Sequence, residues 1–345
     1  MTNKNWQGKN IFITGVCGTV GSELLRQLST FDCGRIVGID NNETELFFLD
    51  QEFENTDNIE LFLGDLRDKA AITRLMKGAD IVLHTAALKH VILCERSPRD
   101  AVLTNIEGVT NIIDAAEINK VERVIFTSSD KAVNPTNVMG TTKLMGERLM
   151  TAANAHRCSD SDTIYASTRF GNVLGSRGSV VPIFARQIEK GIPITITDTE
   201  MTRFIMTLKE SVRLVLESTW IARGGEVFVT KMSIIRIADL AEVMIDLLAP
   251  RYGLKSQDIA IKIIGSKPGE KLYEELISEE EVRRTLELSS FYAVLPAFKG
   301  IYHEINYDYD EVLNESASKA YNSSIEAPMS KVALKNYLTD NNLLD

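Results

Sequence analysis

A regular alternation of short apolar runs and amphipathic segments over the first half of the chain most restricts what it can fold into. The apolar runs, which predict buried strands, lie at residues 10–15, 35–40, 59–65, 79–87 and 123–129. Amphipathic segments that predict helices lie between them, and a longer one covers 99–118. Strands that are apolar on both faces and alternate with helices are typical of a parallel sheet covered on both sides. The pattern therefore predicts an α/β fold built on a Rossmann-type, doubly wound parallel sheet.

Three glycines follow the first predicted strand directly and open the next helix. Gly15 would let the chain turn sharply, Gly18 would let the backbone approach a pyrophosphate, and Gly21 would let helix and sheet pack closely. The helix N-terminus, around Thr19 and Val20, would offer unpaired N–H groups to that pyrophosphate. The turn thus predicts a dinucleotide-binding site.

An acidic residue at the end of the second predicted strand points to the same site. Asp40 can accept hydrogen bonds from both hydroxyls of an adenosine ribose and would repel a 2′-phosphate, which favours NAD over NADP. The third predicted strand ends in Asp65 and Leu66, which we expect beside the adenine ring. The fourth is followed by Ala86 and Ala87, which are small enough to let the cofactor lie against the protein backbone.

The alternation of strands and helices loosens after about residue 170. We expect residues 1–170 to form the NAD-binding domain, with some later segments returning to it. Residues 171–295 are predicted to form mainly a smaller α/β lobe that binds the substrate, including a helix that begins near Gly269. Residues 296–345 are predicted to be a partly irregular tail that packs on the body or on a neighbouring subunit.

Charge, cysteine content and hydropathy argue against several classes of protein. The 38 Lys+Arg and 48 Asp+Glu give a net charge of −10, whereas nucleic-acid binding needs clustered cations. Four cysteines without a C-x-x-C pair, and four histidines without ligand spacing, predict no metal site. There is no run of about 18 apolar residues, so no membrane span is predicted. The N-terminus lacks the apolar core of a signal peptide, so a cytoplasmic location is expected.

A group of polar residues ends the fifth predicted strand, where strand ends in such sheets face the ligand crevice. Ser129, Asp130 and Lys131 stand there, and Lys143 follows Lys131 by twelve residues. This arrangement resembles the Ser…Tyr-x-x-x-Lys signature of the short-chain dehydrogenase/reductase superfamily. In that signature Tyr is the base, and Lys, one helical turn later, lowers the Tyr pKa and binds the nicotinamide ribose. Met139 occupies the position of Tyr, and a thioether cannot act as a base.

The surrounding sequence resembles one branch of that superfamily, the UDP-N-acetylhexosamine 4,6-dehydratases of bacterial polysaccharide biosynthesis, several of which look as if they also carry Met in place of Tyr. The resemblance spans roughly residues 8–295 and rests on AALKHV (86–91), SSDKAVNPTNVMGTTK (128–143), TRFGNVLGSRGSVVPIF (168–184), MTRFIMTL (201–208) and KPGEKLYEELIS (267–278). It implies the NAD-dependent conversion of UDP-N-acetylglucosamine to a UDP-2-acetamido-2,6-dideoxy-hexos-4-ulose. In that reaction C4 is oxidised, water is lost across C5 and C6, and the hydride returns to C6.

The same resemblance implies roles for the polar residues after the fifth strand. Asp130 would protonate the departing C6 hydroxyl, and Lys131 would remove the C5 proton. For that role Lys131 must be neutral, which requires its pKa to be lowered by burial or by nearby Lys143. Three groups are candidates to take the C4 hydroxyl proton in place of Tyr: Ser129, Asp130, or a water relayed to Lys143.

The resemblance also implies residues that bind the two ligands, a tightly bound NAD and a UDP-sugar. The expected additional cofactor contacts are Lys89, Asn105 and Lys143. Arg177 and Arg203 match a clamp for the two phosphates of the substrate, because guanidinium pairs bidentately with phosphate oxygens. Three further substrate contacts are expected, namely Lys89, Asn172 and Glu270. A homo-oligomer, whether dimer, tetramer or hexamer, is also expected.

Two other functions are compatible with the sequence. A nucleotide-sugar C4 epimerase shares the fold, although it normally needs the Tyr and has no use for the pair of Asp130 and Lys131. A non-catalytic NAD-binding scaffold or sensor is permitted by Met139. For the dehydratase, both configurations at C5 are compatible with Met139, and the motifs favour retention. The run of three acidic residues at 279–281 is predicted to be a solvated helix face.

Overall fold

The computed structural model describes residues 3–155, 162–266, 268–297, 305–310 and 312–344, and its centre is a mixed sheet. Over the first half of the chain the order along the sheet is β3-β2-β1-β4-β5-β6, with every neighbouring pair parallel. The fold class predicted from the sequence is therefore confirmed. These strands are β1 (Ile11–Thr14), β2 (Ile36–Asp40), β3 (Ile59–Leu63), β4 (Ile81–His84), β5 (Arg123–Ser129) and β6 (Ile164–Phe170).

Helices connect these strands, as the amphipathic segments predicted. The long segment at 99–118 is helical throughout, with a wider π-helical turn at Leu103–Glu107 between two α-helices. The helices are α1 (Thr19–Leu28), α2 (Glu43–Glu52), α3 (Lys69–Leu75), α4 (Val91–Arg96), α5 (Pro98–Val102), α6 (Gly108–Asn119) and α7 (Val138–Ala155).

The second half of the chain extends the main sheet and adds small sheets beside it. β10 joins parallel to β6, and β15, β14 and β16 follow as antiparallel strands to the edge. One small sheet has the strand order β11-β9-β7, with β9 in the middle, and the other two pair β8 with β12 and β13 with β17. The strands are β7 (Asn172–Val173), β8 (Ile194–Ile196), β9 (Thr202–Met206), β10 (Val227–Thr230), β11 (Ser233–Arg236), β12 (Ile261–Ile263), β13 (Glu275–Ile277), β14 (Thr285–Leu288), β15 (Phe291–Val294), β16 (Val312–Asn314) and β17 (Tyr321–Asn322). The remaining helices are α8 (Val180–Glu189), α9 (Leu208–Ile221), α10 (Ile237–Leu248), α11 (Glu279–Val282) and α12 (Lys331–Asp340).

Alternate residues of each central strand enter different hydrophobic clusters on the two faces of the sheet. Ile13 packs with Leu24 of α1 and Val215 of α9, whereas Phe12 packs with Ile112 of α6. A separate hydrophobic cluster joins α8 and α10 with α12 near the C-terminus, which contributes Leu334 and Leu338. None of the described helices is long and apolar enough to cross a membrane.

Two expectations for the region 269–281 are wrong. Gly269 has a φ of +79° and no helix begins there, because the described chain runs through turns into β13. The acidic run 279–281 is only partly solvated. Glu281 is buried, and its carboxylate accepts two hydrogen bonds of 2.8 Å from Arg169 of β6. Arg169 also donates two hydrogen bonds, at 2.9 and 2.8 Å, to the buried Glu147 of α7.

Candidate active site

A cavity of about 740 Å³ lies at the carboxyl ends of the six parallel strands β1 to β6. The topology explains its position, because the strand order reverses between β1 and β4 and open α/β sheets bind ligands at that switch point. Its wall includes most of the residues selected from the sequence. They run from the glycine turn at one end, past Asp40 and Asp65, to Ser129, Asp130, Lys131, Met139 and Lys143 at the other.

The glycine turn has a shape that only glycine allows. Gly15 has a φ of +69°, and a Cβ atom there would lie 2.7 Å from the backbone of Ala86. A Cβ atom on Gly21 would lie 2.1 Å from the carbonyl oxygen of Gly15. The first turn of α1, with Thr19 and Val20, lines the cavity and leaves backbone N–H groups for an anion. This turn can therefore cradle a phosphate group against bare backbone.

Asp40 is fixed beside this turn by the backbone. Its Oδ2 accepts a hydrogen bond of 3.0 Å from the amide of Cys17, and its Oδ1 accepts one of 3.0 Å from the amide of Asn42. Each carboxylate oxygen has a further lone pair, and the residue lines the cavity. The carboxylate can therefore accept hydroxyl groups from a ligand in addition to these two amides.

The residues expected beside the adenine, Asp65 and Leu66, line the cavity as well, and so do Ala86 and Ala87, where the cofactor was expected to lie against the backbone. The Asp65 carboxylate is occupied by the guanidinium of Arg67, and this hydrogen-bonded pair lowers the pKa of Asp65. The side chain of Leu66 is buried beside Gly108, so it presents an apolar surface to a flat ring.

Asn105, expected to contact the cofactor, does not line the cavity. It lies in the π-helical turn, and its buried amide holds the segment after β4 from behind. Its Oδ1 accepts the amide of Leu88 at 2.8 Å, and its Nδ2 donates to the Leu88 carbonyl at 3.0 Å and to Thr142 at 3.0 Å. Asn105 therefore lies behind the cavity wall and positions Leu88, which lines it.

The polar residues after β5 form a connected group at the other end of the cavity. Asp130 is buried, and its Oδ1 accepts hydrogen bonds from Ser129 Oγ at 2.7 Å and from Lys131 Nζ at 2.9 Å. Helix α7 is packed directly against this group. A Cβ atom on Gly140 would lie 2.2 Å from the Lys131 carbonyl oxygen. The glycine therefore allows the helix that carries Met139 and Lys143 to touch the backbone of the pair.

The charge on Lys131 differs from the expectation. Burial lowers the pKa of Lys131, but the nearby carboxylates of Asp130 and Glu274 outweigh burial, so its pKa lies above its ordinary value. Among the neighbouring cations, Arg203 opposes this rise. The lowering of the Lys131 pKa that its role as a base requires is therefore not found, and the amine is an ammonium ion near neutral pH.

Met139 and Lys143 lie one helical turn apart on α7, and both line the cavity. Met139 is buried against Cys94 and Ala101, so its thioether is packed as an apolar side chain. Lys143 donates a hydrogen bond of 2.8 Å to the Thr127 carbonyl. Burial lowers the pKa of Lys143 to about 8. Lys143 can therefore change its charge near neutral pH, which Met139 cannot.

Three of the expected substrate residues line the cavity: Lys89, Asn172 and Arg177. Arg177, however, lies toward the dinucleotide end, because its guanidinium forms a 2.6 Å ion pair with Glu45 of α2. Lys89 Nζ donates a hydrogen bond of 2.9 Å to the Arg177 carbonyl. The loop between β7 and α8 is thus tied to both sides of the cavity.

Two expected substrate residues do not line the cavity, namely Arg203 and Glu270. Arg203 is buried, and its guanidinium donates hydrogen bonds to the carbonyls of Thr202, Lys271 and Leu272. The carboxylate of Glu270 instead accepts a hydrogen bond of 3.1 Å from Thr197. Arg203 is held by the loop before β13 and cannot offer a bidentate face to a phosphate in this arrangement.

The sequence did not single out Glu274 as a site residue. This buried carboxylate also lies close to Lys131, with 3.5 Å between Glu274 Oε1 and Lys131 Nζ. Only its place in KPGEKLYEELIS could have drawn attention to it, because β13 and its preceding loop are far from β5 in the chain.

Comparison with known proteins gives a family match and several relatives. The family model described as polysaccharide biosynthesis protein matches residues 11–296. An uncharacterised membrane protein of Methanocaldococcus jannaschii is 50% identical over 291 residues, which are 84% of this chain and 87% of that protein. A UDP-N-acetylglucosamine 4,6-dehydratase (inverting) of Campylobacter jejuni is 38% identical over 316 residues, which are 91% of this chain and 90% of the relative.

The chain is also similar to a relative that is named as an epimerase and to a solved structure. A UDP-glucose 4-epimerase of Rickettsia akari is 39% identical over 293 residues, which are 83% of this chain and 82% of the relative. The X-ray structure of Pen from Bacillus thuringiensis is 39% identical and superposes with a TM-score of 0.91 over 99% of both chains. Both the fold and most of the chain length are thus common to this group.

Proposed function

The chain belongs to the polysaccharide biosynthesis protein family, and from that premise we propose that it is an NAD-dependent UDP-N-acetylglucosamine 4,6-dehydratase. The proposed product is a UDP-2-acetamido-2,6-dideoxy-hexos-4-ulose for glycan synthesis. The observation that carries the proposal is the pair of Asp130 and Lys131 on the cavity wall, joined by a 2.9 Å hydrogen bond. Elimination of water needs an acid and a base close together, and simple oxidation of an alcohol does not.

One proton transfer converts this pair into the form that the elimination needs. Lys131 is an ammonium ion beside Asp130, because the neighbouring carboxylates raise its pKa. Transfer of a proton from Lys131 Nζ to Asp130 Oδ1 along their hydrogen bond yields a neutral amine and a carboxylic acid. The amine can then accept the C5 proton, and the acid can protonate the C6 hydroxyl as it leaves. The roles implied by the resemblance are therefore kept, but they follow a proton transfer within the site.

The glycine turn and the neighbouring strand ends fit a dinucleotide. The fit rests on the bare backbone around Gly15 and Gly21, where a Cβ atom would collide with the chain, and on the carboxylate of Asp40. When bound there, NAD would supply the hydride acceptor for C4 and the hydride donor for C6. Lys143, held at the Thr127 carbonyl, lines the same end of the cavity as Asp130 and Lys131 and would bind the nicotinamide ribose.

We expect the sugar nucleotide to bind between the Asp130–Lys131 pair and the start of α8. Lys89 and Asn172 line this part of the cavity, together with Ser179 and Val180 at the N-terminus of α8. The backbone N–H groups of a helix N-terminus and a lysine ammonium suit the two phosphates of a UDP-sugar. Arg203 and Glu270 are left out of this binding set because other protein groups occupy them.

The proposed reaction is tested by incubating the purified protein with UDP-N-acetylglucosamine and following the mass and proton NMR spectrum of the sugar nucleotide. The expected product has lost one water and shows a C6 methyl doublet. Unchanged mass with several UDP-hexosamines would exclude dehydration, and bound NAD without turnover would indicate a scaffold or sensor.

A C4 epimerase is the second candidate because the R. akari relative carries that name. Epimerisation leaves the mass unchanged and inverts C4, so the same spectra distinguish the two reactions. Performing the reaction in deuterated water also reports the configuration at C5. We expect inversion there, because the C. jejuni relative is named as inverting, although the sequence motifs favoured retention.

The position of Asp40 predicts how strongly the protein selects NAD. Replacing Asp40 by alanine is expected to weaken NAD binding by about 10–100-fold, because hydrogen bonds to a charged group are lost. NADP binding should weaken less or improve, since the repelling charge is removed as well. Calorimetric titration of both dinucleotides measures this, and Asp50→Ala on the exposed side of α2 is the matched control. Equal NAD affinity in Asp40→Ala and the original protein would contradict the assignment.

A further inference from the structure

The Lys131 ammonium lies between two buried carboxylates, of which the sequence indicated only one. Asp130 Oδ1 is 2.9 Å from Lys131 Nζ, and Glu274 Oε1 is 3.5 Å from it. The side chain of Lys131 remains about a quarter exposed at the cavity wall, whereas both carboxylate side chains are nearly fully buried. Glu274 does not line the cavity, so it can act on a ligand only through Lys131.

The fold fixes the position of Glu274 through its backbone. The amide of Glu274 donates a hydrogen bond of 2.9 Å to Ser323 Oγ, and the amide of Ser323 donates one of 2.9 Å to the Glu274 carbonyl. Arg203 holds the same loop through the carbonyls of Lys271 and Leu272. The carboxylate is therefore presented to Lys131 by a rigid segment.

The charges around this carboxylate leave Lys131 as its main partner. Glu274 Oε1 is 3.8 Å from Arg203 Nε, beyond hydrogen-bond distance, and Lys271 is a weaker influence. Glu274 Oε2 is buried and has no hydrogen-bond partner among the described residues. Burial raises the pKa of Glu274, and the ammonium of Lys131 is the largest influence that opposes the rise. A buried carboxylate oxygen without a donor is costly to a folded protein, which points to a role in the reaction.

We propose that Glu274 is a positioning residue for the dehydratase reaction: it holds the Lys131 amine at the cavity wall as a second anionic partner. This inference rests on the proposed function for its role in catalysis. During the elimination, Asp130 is occupied by its transferred proton and by the leaving hydroxyl. Glu274 then remains the anion beside Lys131 when the amine accepts the C5 proton. It thereby makes Lys131 a stronger base than burial alone would allow.

The proton affinity of Lys131 can be measured without turnover. Competitive acetylation of the full chain with a trace of acetic anhydride, followed by peptide mass spectrometry, gives the pH at which each lysine becomes reactive. The exposed Lys335 of α12 serves as the reference in the same sample. In the original protein the midpoint for Lys131 should lie above that for Lys335, and a midpoint below it overturns the inference even if no variant folds.

Variants at Glu274 separate its charge from its packing. Glu274→Gln keeps the shape and removes the charge, and should lower the Lys131 midpoint by about one pH unit. Glu274→Asp keeps the charge and should return the midpoint toward the original value. The matched control, Glu279→Gln at an exposed position of α11, should leave the Lys131 midpoint unchanged. An unchanged midpoint in a folded Glu274→Gln protein overturns the inference.

The pH dependence of kcat connects this measurement to catalysis. Activity falls at high pH when Lys131 loses its proton. This alkaline limb of the kcat profile should move to lower pH in Glu274→Gln by the same amount as the acetylation midpoint. A shifted midpoint in a protein without dehydratase activity would defeat the proposed function alone. A shifted midpoint with an unmoved kcat limb in an active dehydratase would overturn the role of Glu274 in the reaction.

Discussion

Replacing Lys131 by methionine is expected to lower dehydratase turnover by about 10²–10⁴-fold, the usual contribution of a group that transfers protons in the transition state. Methionine keeps much of the length of the side chain but can neither accept nor donate the C5 proton. NAD binding should persist, because the glycine turn and Asp40 lie at the other end of the cavity. Turnover is measured from the loss of water from UDP-N-acetylglucosamine, and bound dinucleotide from its release on denaturation.

The control for this change is Lys335→Met, which removes an exposed lysine from α12 and should leave turnover as it is. Asp130→Asn should reduce turnover to a similar extent, since an amide can neither receive the Lys131 proton nor deliver it to the leaving hydroxyl. Because the two residues act through one hydrogen bond, the double variant should be scarcely slower than either single variant. Normal turnover in Lys131→Met would remove the acid–base assignment altogether.

Replacing Arg169 by methionine is expected to destabilise the fold by about 3–5 kcal/mol, the usual cost of removing one partner from a buried ion pair. The guanidinium is buried and holds Glu147 of α7 and Glu281 of α11 through four hydrogen bonds. Without it, the buried carboxylate of Glu147 would lose its guanidinium partner, and that of Glu281 would keep only its contacts with Ser278 and Arg284. Urea unfolding followed by circular dichroism gives the change in the free energy of unfolding.

Arg213→Met is the comparison for this stability change, because Arg213 forms an exposed ion pair with Glu217 on the same helix. Such surface pairs contribute at most about 1 kcal/mol. Replacing Arg169, Glu147 and Glu281 together by apolar residues of similar volume should recover most of the lost stability, since no charge is then left buried. If Arg169→Met costs no more than Arg213→Met, the three residues do not act as a buried ionic unit.

The sequence was sufficient for features that depend on local pattern. The parallel strands have continuous apolar runs. The glycines of the turn are recognisable because any side chain at Gly15 or Gly21 would collide with backbone atoms. The residues after β5 are neighbours in the chain, so Ser129, Asp130 and Lys131 were found together. Lys143 follows from the helical repeat that places it one turn beyond Met139.

The features that the sequence could not show depend on contacts between distant segments. Glu274 meets Lys131 only because the loop before β13 folds over the end of β5, and this contact adds to the effect of Asp130 in raising the Lys131 pKa. Arg203 matched a phosphate ligand by residue type, but the carbonyls of that loop surround it. The sequence predicts a solvated position for Glu281, because its partner Arg169 lies on a strand that is distant along the chain.

The loop that carries Arg177 is fastened to opposite sides of the cavity, through Glu45 on one side and Lys89 on the other. A dinucleotide in the proposed site would lie beside this loop. The proposed reaction returns the hydride that it removes, so one retained molecule would serve many successive cycles. The flux through such an enzyme would then follow the supply of sugar nucleotide and would not depend on the ratio of oxidised to reduced nicotinamide in the surrounding cell.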